Sequence, residues 1–266
     1  MKIKNSIIVL LITSFVIGCT NKRTENTLFE RISAEFSGIN FENTISTNDS
    51  INILNYEYLY NGGGVGIGDF NRDSLPDVIF TGSISESRIY INKGKLQFND
   101  ITKSSGIDTN GKWCTGVSIV DINQDGFDDI YISVGGMGNK SMFPNLLYIN
   151  NGDLTFTESA VKYGLADKGE SIQSIFFDYD LDGDLDMYLL TGGGFENSAI
   201  NIRPIIDNGK SRNTDRLYRN DFDESLNHQV FTDVSLEAGI TIEGFGLGIS
   251  VFDVNNDDWY RFICFK

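Results

Sequence analysis

Histidine, cysteine and proline are scarce in this sequence. Its 266 residues include one His, three Cys and three Pro. One imidazole and three widely separated thiols leave little material for a zinc site, a Cys-His catalytic pair or a disulfide framework. Basic residues are also few, with 21 Lys and Arg against 37 Asp and Glu. Because nucleic-acid affinity comes mainly from basic side chains that neutralise phosphates, no nucleic-acid partner is expected.

Apolar residues and acidic side chains are abundant instead. Hydrophobic residues make up 40% of the chain and aromatic residues 12%, which is enough to build a sizeable core. The ligands that this chain could offer to a metal are therefore mainly oxygen atoms.

The N-terminus has the pattern of a targeting segment. It reads MKIKNSIIVLLITSFVIGC, with two lysines, a short apolar run, a small residue and Cys19. The run is too short to span a bilayer as a helix, and its order is typical of a secretory signal. Its end, VIGC, resembles a bacterial lipobox, which implies cleavage before Cys19 and acylation of that residue.

We therefore expect a lipoprotein signal peptide over residues 1–18, and a lipidated Cys19 with a polar tether over 19–28. Lipid chains on Cys19 would anchor the protein to a membrane of the bacterial cell envelope, with the outer membrane as the expected one. An ordinary signal peptide with a coincidental cysteine is the alternative.

An acidic pattern occurs four times in the chain. The copies are DFNRDSLPD (69–77), DINQDGFDD (121–129), DYDLDGDLD (178–186) and DVNNDDWYR (253–261). Each follows a small or apolar stretch, and the first three precede β-favouring runs, VIF, IYI and MYLL. The repeated unit is therefore predicted to be a strand, an acidic loop and a second strand. The residues of each loop are numbered 1 to 9 below.

Oxygen-bearing side chains at loop positions 1, 3 and 5 converge when the backbone coils tightly, which Gly126 and Gly183 permit at position 6. Such sites suit Ca²⁺ better than Mg²⁺ or softer metals. An EF-hand would need Glu at position 12, where this sequence has Phe80, Ile132, Leu189 and Cys264. A solvated turn without metal is the alternative for any single copy, and three copies in register favour the metal.

A second element follows each of the first three loops, at 88–107, 146–165 and 216–240. It combines an aromatic-containing strand, a turn, a strand ending in Phe-x-[Asp/Glu] and a closing Gly-[Ile/Leu]. Four short strands in each repeat match the blade of a β-propeller. The predicted fold is all-β, a partial propeller of about three and a half four-stranded blades over residues 29–266. The repeats lie around 61–107, 114–165, 171–240 and 245–266.

The segments GVGIGDFNRDSLPD, RIYIN and FNDITKSSGI resemble the FG-GAP/VCBS repeat, which also builds the propeller of integrin α subunits. The lead-in from Phe36 to Asn71 is similar to bacterial lipoproteins related to cartilage acidic protein, of the ASPIC/UnbV group. The resemblance runs roughly from Phe29 to Asp257. It implies a propeller of about seven blades, frequently followed by a UnbV domain. With fewer repeats, and a fourth that is expected to stop within its loop, the chain is expected to be a fragment of a longer protein.

The resemblance also implies the ligands of about three Ca²⁺ ions, with position 7 contributing its backbone carbonyl. They are Asp69, Asn71, Asp73, Leu75 and Asp77 in the first loop, Asp121, Asn123, Asp125, Phe127 and Asp129 in the second, and Asp178, Asp180, Asp182, Asp184 and Asp186 in the third. The fourth loop offers a weaker set, Asp253, Asn255 and Asp257. Because Arg261 stands at position 9 and Asp258 replaces glycine, that site is expected to be impaired.

The function implied is that of a calcium-stabilised module for adhesion or interaction, with an unidentified protein or glycan as its ligand. No catalytic residue is predicted, since the sequence has no nucleophile elbow, HExxH motif or P-loop. The alternative is part of a polysaccharide-active enzyme, such as a calcium-dependent lyase. That chemistry needs a base, and the only histidine, His228, lies in a stretch predicted to be a polar loop.

Overall fold

The computed structural model describes residues 28–56, 58–135, 143–192 and 204–265. The chain divides into two units, residues 1–33 and 34–266. In the first unit, residues 28–33 contain neither helix nor strand. The predicted signal peptide and Cys19 lie outside the described residues. No helix in the described ranges is long and apolar enough to cross a membrane.

In its described residues, the second unit consists mainly of antiparallel strands that pair in chain order, forming three four-stranded blades and a fourth hairpin. Blade 1 contains β1 (Val65–Gly68), β2 (Asp77–Phe80), β3 (Arg88–Asn92) and β4 (Phe98–Asp100). Blade 2 contains β5 (Trp113–Val120), β6 (Asp129–Gly135), β7 (Leu146–Asn150) and β8 (Phe156–Glu158). Blade 3 contains β9 (Ser171–Phe177), β10 (Asp186–Thr191), β11 (Arg216–Asp223) and β12 (His228–Asp233). The fourth hairpin contains β13 (Gly248–Phe252) and β14 (Arg261–Phe265). The predicted all-β partial propeller is confirmed.

The fourth hairpin corrects one expectation. The prediction that this repeat stops within its acidic loop is wrong. The segment RFICF forms β14, which pairs with β13 from Gly248 opposite Phe265 to Phe252 opposite Arg261. Three apolar residues with high β propensity in five positions explain why this tail extends the hairpin.

The hydrophobic core lies between consecutive blades. Side chains on the central strand of each blade alternate in direction, because successive residues of a strand point to opposite faces. In β6, Ile130 and Ile132 pack with Ile79 and other residues of blade 1, whereas Tyr131 packs with Leu189 of blade 3. Both faces of such a strand are buried, so the runs VIF, IYI and MYLL are apolar throughout.

Within the described residues, three one-turn helices contact the outer strands of the blades, the first from the segment before blade 1 and the other two from the ends of blades 1 and 2. They are α1 (Ala34–Ser37), α2 (Thr102–Ser105) and α3 (Ala160–Tyr163). Each is followed by a glycine with positive φ, namely Gly38, Gly106 and Gly164. A Cβ on these glycines would lie 2.5, 2.9 and 2.5 Å from the carbonyl oxygens of Phe98, Phe156 and Phe231. Those three residues open or lie within the outer strands β4, β8 and β12, so each glycine permits a close approach between backbones.

The acid of each Phe-x-[Asp/Glu] motif holds the turn that follows its strand. Its carboxylate accepts the backbone N–H located two residues further along the chain. The pairs are Asp100 with Thr102 at 2.9 Å, Glu158 with Ala160 at 3.0 Å, and Asp233 with Ser235 at 2.9 Å. The acid at this place in the sequence motif therefore has a local structural role.

The contact at Gly164 leads to a prediction with an internal control. Gly239 closes the third repeat in the same motif with φ +76°, but a Cβ there would meet nothing within 4 Å. We expect Gly239→Ala to cost about 1–2 kcal/mol of unfolding free energy, from left-handed strain alone. Gly164→Ala carries the same strain and also clashes with Phe231, so it should cost about 1–3 kcal/mol more. Urea unfolding measures both, and equal costs would contradict this packing.

Candidate metal centres

The three complete acidic loops occupy the same place in successive blades. They connect β1 to β2, β5 to β6, and β9 to β10. Position 9 of each loop, Asp77, Asp129 or Asp186, is also the first residue of the second strand. The sheet therefore fixes the last predicted ligand of each loop, and the remaining ligands lie on the turn before it.

The aspartate at position 9 is buried, with 0% of its surface exposed in all three loops. One carboxylate oxygen accepts the backbone N–H of position 2, and the other accepts the backbone N–H of an asparagine on the third strand. The position-2 donors are Phe70, Ile122 and Tyr179, at 3.0, 3.1 and 3.0 Å. The asparagines are Asn92, Asn150 and Asn220, at 2.7, 2.7 and 2.9 Å. This carboxylate thus joins its loop to the third strand of the blade.

The aspartate at position 1 coils the loop around itself. Its carboxylate accepts the backbone N–H groups of positions 5 and 6. In the second loop, Asp121 accepts from Asp125 at 3.0 Å and from Gly126 at 2.8 Å. Asp69 and Asp178 make the same pairs of bonds in their loops, over 2.8–3.2 Å.

Two residues in each loop adopt left-handed backbone conformations, at positions 4 and 6. The pairs are Arg72 with Ser74, Gln124 with Gly126, and Leu181 with Gly183. The sequence predicts this conformation at position 6 only, where glycine indicates it. Position 4 was missed because an ordinary side chain occupies it in every copy.

The third loop brings its acidic groups closest together. Oxygen atoms of Asp178, Asp180 and Asp186 lie within 4.8 Å of one another. One buried oxygen each on Asp180 and Asp184 has no hydrogen-bond partner. Positions 3 of the first two loops are Asn71 and Asn123, so their clusters carry less negative charge.

Burial and crowding disfavour the charged forms of several of these carboxyl groups. Burial raises the pKa of Asp186 to about 6 and the pKa of Asp184 and Asp129 to about 7, and neighbouring carboxylates act in the same direction. The pKa of Asp77 and Asp180 is also raised, again mainly by burial. A divalent cation among these groups would offset both effects. The donor set, made only of carboxylate, amide and carbonyl oxygens, fits Ca²⁺.

The first two loops are linked to each other. The Asp128 carboxylate, at position 8 of the second loop, accepts the backbone N–H of Asp69 at 2.7 Å. The Asn150 side-chain amide donates to the carbonyl oxygens of Phe70, in the first loop, and Asp128, at 2.9 and 3.1 Å. The guanidinium carbon of Arg72 lies 5.2 Å from the centre of the Phe127 ring. The third loop has Leu185 at position 8 and so cannot repeat the carboxylate contact.

Sequence reasoning missed the three asparagines that hold position 9. A signal was present, because each third strand carries Tyr-x-Asn, as YIN in blades 1 and 2 and YRN in blade 3. The side-chain amide of each asparagine also donates to the carbonyl oxygen of position 8 in its own blade's loop.

The fourth loop and His228 also have defined surroundings. Arg261 places its guanidinium beside Asn255 and Asp257. The impairment of this loop as a calcium site stays a prediction.

His228 is the first residue of β12, so its predicted place in a loop is wrong. Its ring centre lies 5.2 Å from that of Tyr163, and its Nδ1 lies 2.6 Å from the carbonyl oxygen of Gln229.

These features define a class of protein, an all-β partial propeller whose blades carry an acidic loop in their first hairpin. Residues 69–132 match the family model of the FG-GAP-like repeat. That stretch includes the first two acidic loops together with the strands between them, so an FG-GAP-like repeat is present in this propeller. A search of the curated proteins found no match.

The link between the first two loops can be tested with matched asparagines. Asn92 and Asn150 each donate to position 8 of their own loop and accept from the glycine two residues later. Asn150 alone of these two also donates to the neighbouring loop, at Phe70. We expect Asn150→Ala to lower the unfolding free energy by about 1 kcal/mol more than Asn92→Ala, because it leaves one more buried carbonyl unpaired. Urea unfolding measures the difference, and equal losses would contradict the link.

Proposed function

We propose that this protein is a calcium-stabilised, lipid-anchored β-propeller module of the bacterial cell envelope that binds a protein or glycan partner. The observation that carries the proposal is the repetition of one loop geometry in three successive blades. In each loop the same positions supply oxygen atoms, and the carboxylate at position 9 is buried and fixed by two backbone N–H groups.

The proposed calcium ions have a structural role. Each would be held by positions 1, 3, 5, 7 and 9 of one loop, using the ligands named in the sequence analysis. Each loop joins the first two strands of a blade, so a bound cation would stabilise that hairpin against repulsion among its acids. An unpartnered buried side-chain oxygen of Asp180, one of the proposed ligands, supports this role in the third loop.

The membrane anchor rests on the lipobox-like segment that ends at Cys19. Acylation there would hold the propeller beside a membrane, and the segment 19–28 would separate the two. A propeller built on successive packed blades is a rigid support for surface loops, which suits binding of a partner. The match to an FG-GAP-like repeat favours an interaction module over an enzyme.

The polysaccharide-lyase alternative would require a base near a bound metal. The imidazole of His228 packs on Tyr163, and its Nδ1 is engaged by the Gln229 carbonyl. No contact of His228 within the described residues favours catalysis, so the proposal is built on binding.

Calcium should raise the thermal stability of the full chain. Affinities of extracellular calcium modules are about 10⁻⁴ to 10⁻³ M. Calcium at 10 mM is about ten to one hundred times such a dissociation constant, and it stabilises a site by about 1.4–2.7 kcal/mol. For a chain of this size that corresponds to a rise in Tm of about 3–10 °C for a single site. Calorimetry in 10 mM CaCl₂ and in EDTA measures the rise.

Variants of the third loop provide the control for this experiment. Asp180→Asn with Asp182→Asn keeps side-chain size and removes two of the proposed ligand charges, so it should reduce the calcium-dependent rise. Lys95→Gln, on an exposed turn outside the loops, should leave the rise unchanged. Identical Tm values with and without calcium in the unmodified chain would contradict the structural role of calcium.

A further inference from the structure

The fourth acidic loop has the same backbone as the other three, although it lacks the carboxylate at position 9. Its positions 4 and 6, Asn256 and Asp258, have φ of 61° and 65°, as Arg72 and Ser74 have 59° and 65° in the first loop. The carboxylate of Asp253 accepts the backbone N–H groups of positions 5 and 6, at 3.3 and 3.0 Å. The fourth loop therefore keeps the two left-handed residues and the two hydrogen bonds to position 1 that the other loops have.

The guanidinium of Arg261 lies among these donor atoms. Its Nη1 donates to Oδ1 of Asn255 at 2.7 Å, at position 3, and to the carbonyl oxygen of Trp259 at 3.1 Å, at position 7. Asp257, at position 5, accepts from Nη1 at 3.0 Å and from Nη2 at 2.8 Å. The carboxylate of Asp253, at position 1, lies 3.9 Å from Nη1.

The four positions that Arg261 approaches are 1, 3, 5 and 7. These are the positions proposed to bind calcium in the other three loops, and position 9 is the residue that now supplies the cation. We infer that Arg261 is a tethered cation that takes the place of calcium in the fourth loop, so that this hairpin is held without a metal. The comparison with calcium rests on the proposed function of the other three loops.

The chemistry of arginine suits this substitution. A guanidinium stays charged at all ordinary pH values and presents several N–H donors in one plane, so it can bond to several oxygens at once. Because the group is attached to the same loop, its local concentration does not depend on the calcium around the protein. A guanidinium and a calcium ion would need the same oxygen atoms, and their charges would repel each other, so the two exclude one another.

The first test needs no metal. In EDTA, the amides of Asp257 and Asp258 should be ordered in the unmodified full chain, with ¹⁵N order parameters near the rigid value of about 0.85. Arg261→Gln removes the charge and most of the donors, and the same order parameters should fall below about 0.6. Arg219→Gln is the control, because Arg219 pairs with Asp221 on β11 outside the loop. Unchanged order in the Arg261→Gln chain would overturn the inference.

The second test restores a carboxylate at position 9. Arg261→Asp should raise the number of calcium ions bound per chain by one relative to the unmodified chain, measured by titration calorimetry. Lys168→Asp makes the same change in charge at an exposed residue outside the loops and should leave the number unchanged. An unchanged number in Arg261→Asp, with calcium still bound by the unmodified chain, would overturn the inference and leave the proposed function standing. An absence of calcium binding in the unmodified chain would overturn the proposed function, and the metal-free test then decides the role of Arg261.

Discussion

The buried carboxylate at position 9 is the interaction on which each blade depends. It begins the second strand, accepts an N–H from the acidic loop and accepts another from the third strand. A single side chain therefore holds the loop to two strands of the blade. Hydrogen bonds to a charged group contribute about 1.5–3 kcal/mol each, but a buried carboxylate without a counter-charge is costly. The raised pKa of Asp129 and Asp186, caused mainly by burial, reflects that cost.

The other acids of each loop stabilise the same turn that position 9 holds. The side chains at positions 1 and 5 shape the loop through hydrogen bonds to its backbone. In the fourth loop a guanidinium stands at position 9 in place of the carboxylate, and the backbone retains the same shape. The loop conformation thus depends on Asp and Asn hydrogen bonds, and it persists where an arginine replaces the last carboxylate.

Blades 1 and 2 are joined by polar contacts in addition to their shared apolar core. The contact from Asp128 to Asp69 and the two bonds of Asn150 cross from one acidic loop to the next. Blade 3 has Leu185 where blade 2 has Asp128, so its loop lacks the equivalent contact. The loops resemble one another in their internal structure and differ in how they contact their neighbours.

The repeat and its strands were predictable, because the acidic pattern recurs in register and the flanking runs favour strands. Contacts between residues that are distant in the sequence were not predictable. Nothing near Asn150 in the sequence indicates Phe70, which is its partner across the blades. The closing glycines were recognised as a motif, but their approach to the neighbouring outer strand follows from packing alone. At Arg261 the sequence showed that a carboxylate was missing, and only the structure shows where the guanidinium lies.

The calcium assignment itself remains the central claim, and X-ray diffraction tests it most directly. Crystals of the full chain grown with Ca²⁺ should show anomalous scattering at the centres of the loops 69–77, 121–129 and 178–186. The loop 253–261 should show none, because Arg261 occupies its donor atoms. The absence of such peaks from the first three loops, or a peak in the fourth with Arg261 displaced, would contradict this account.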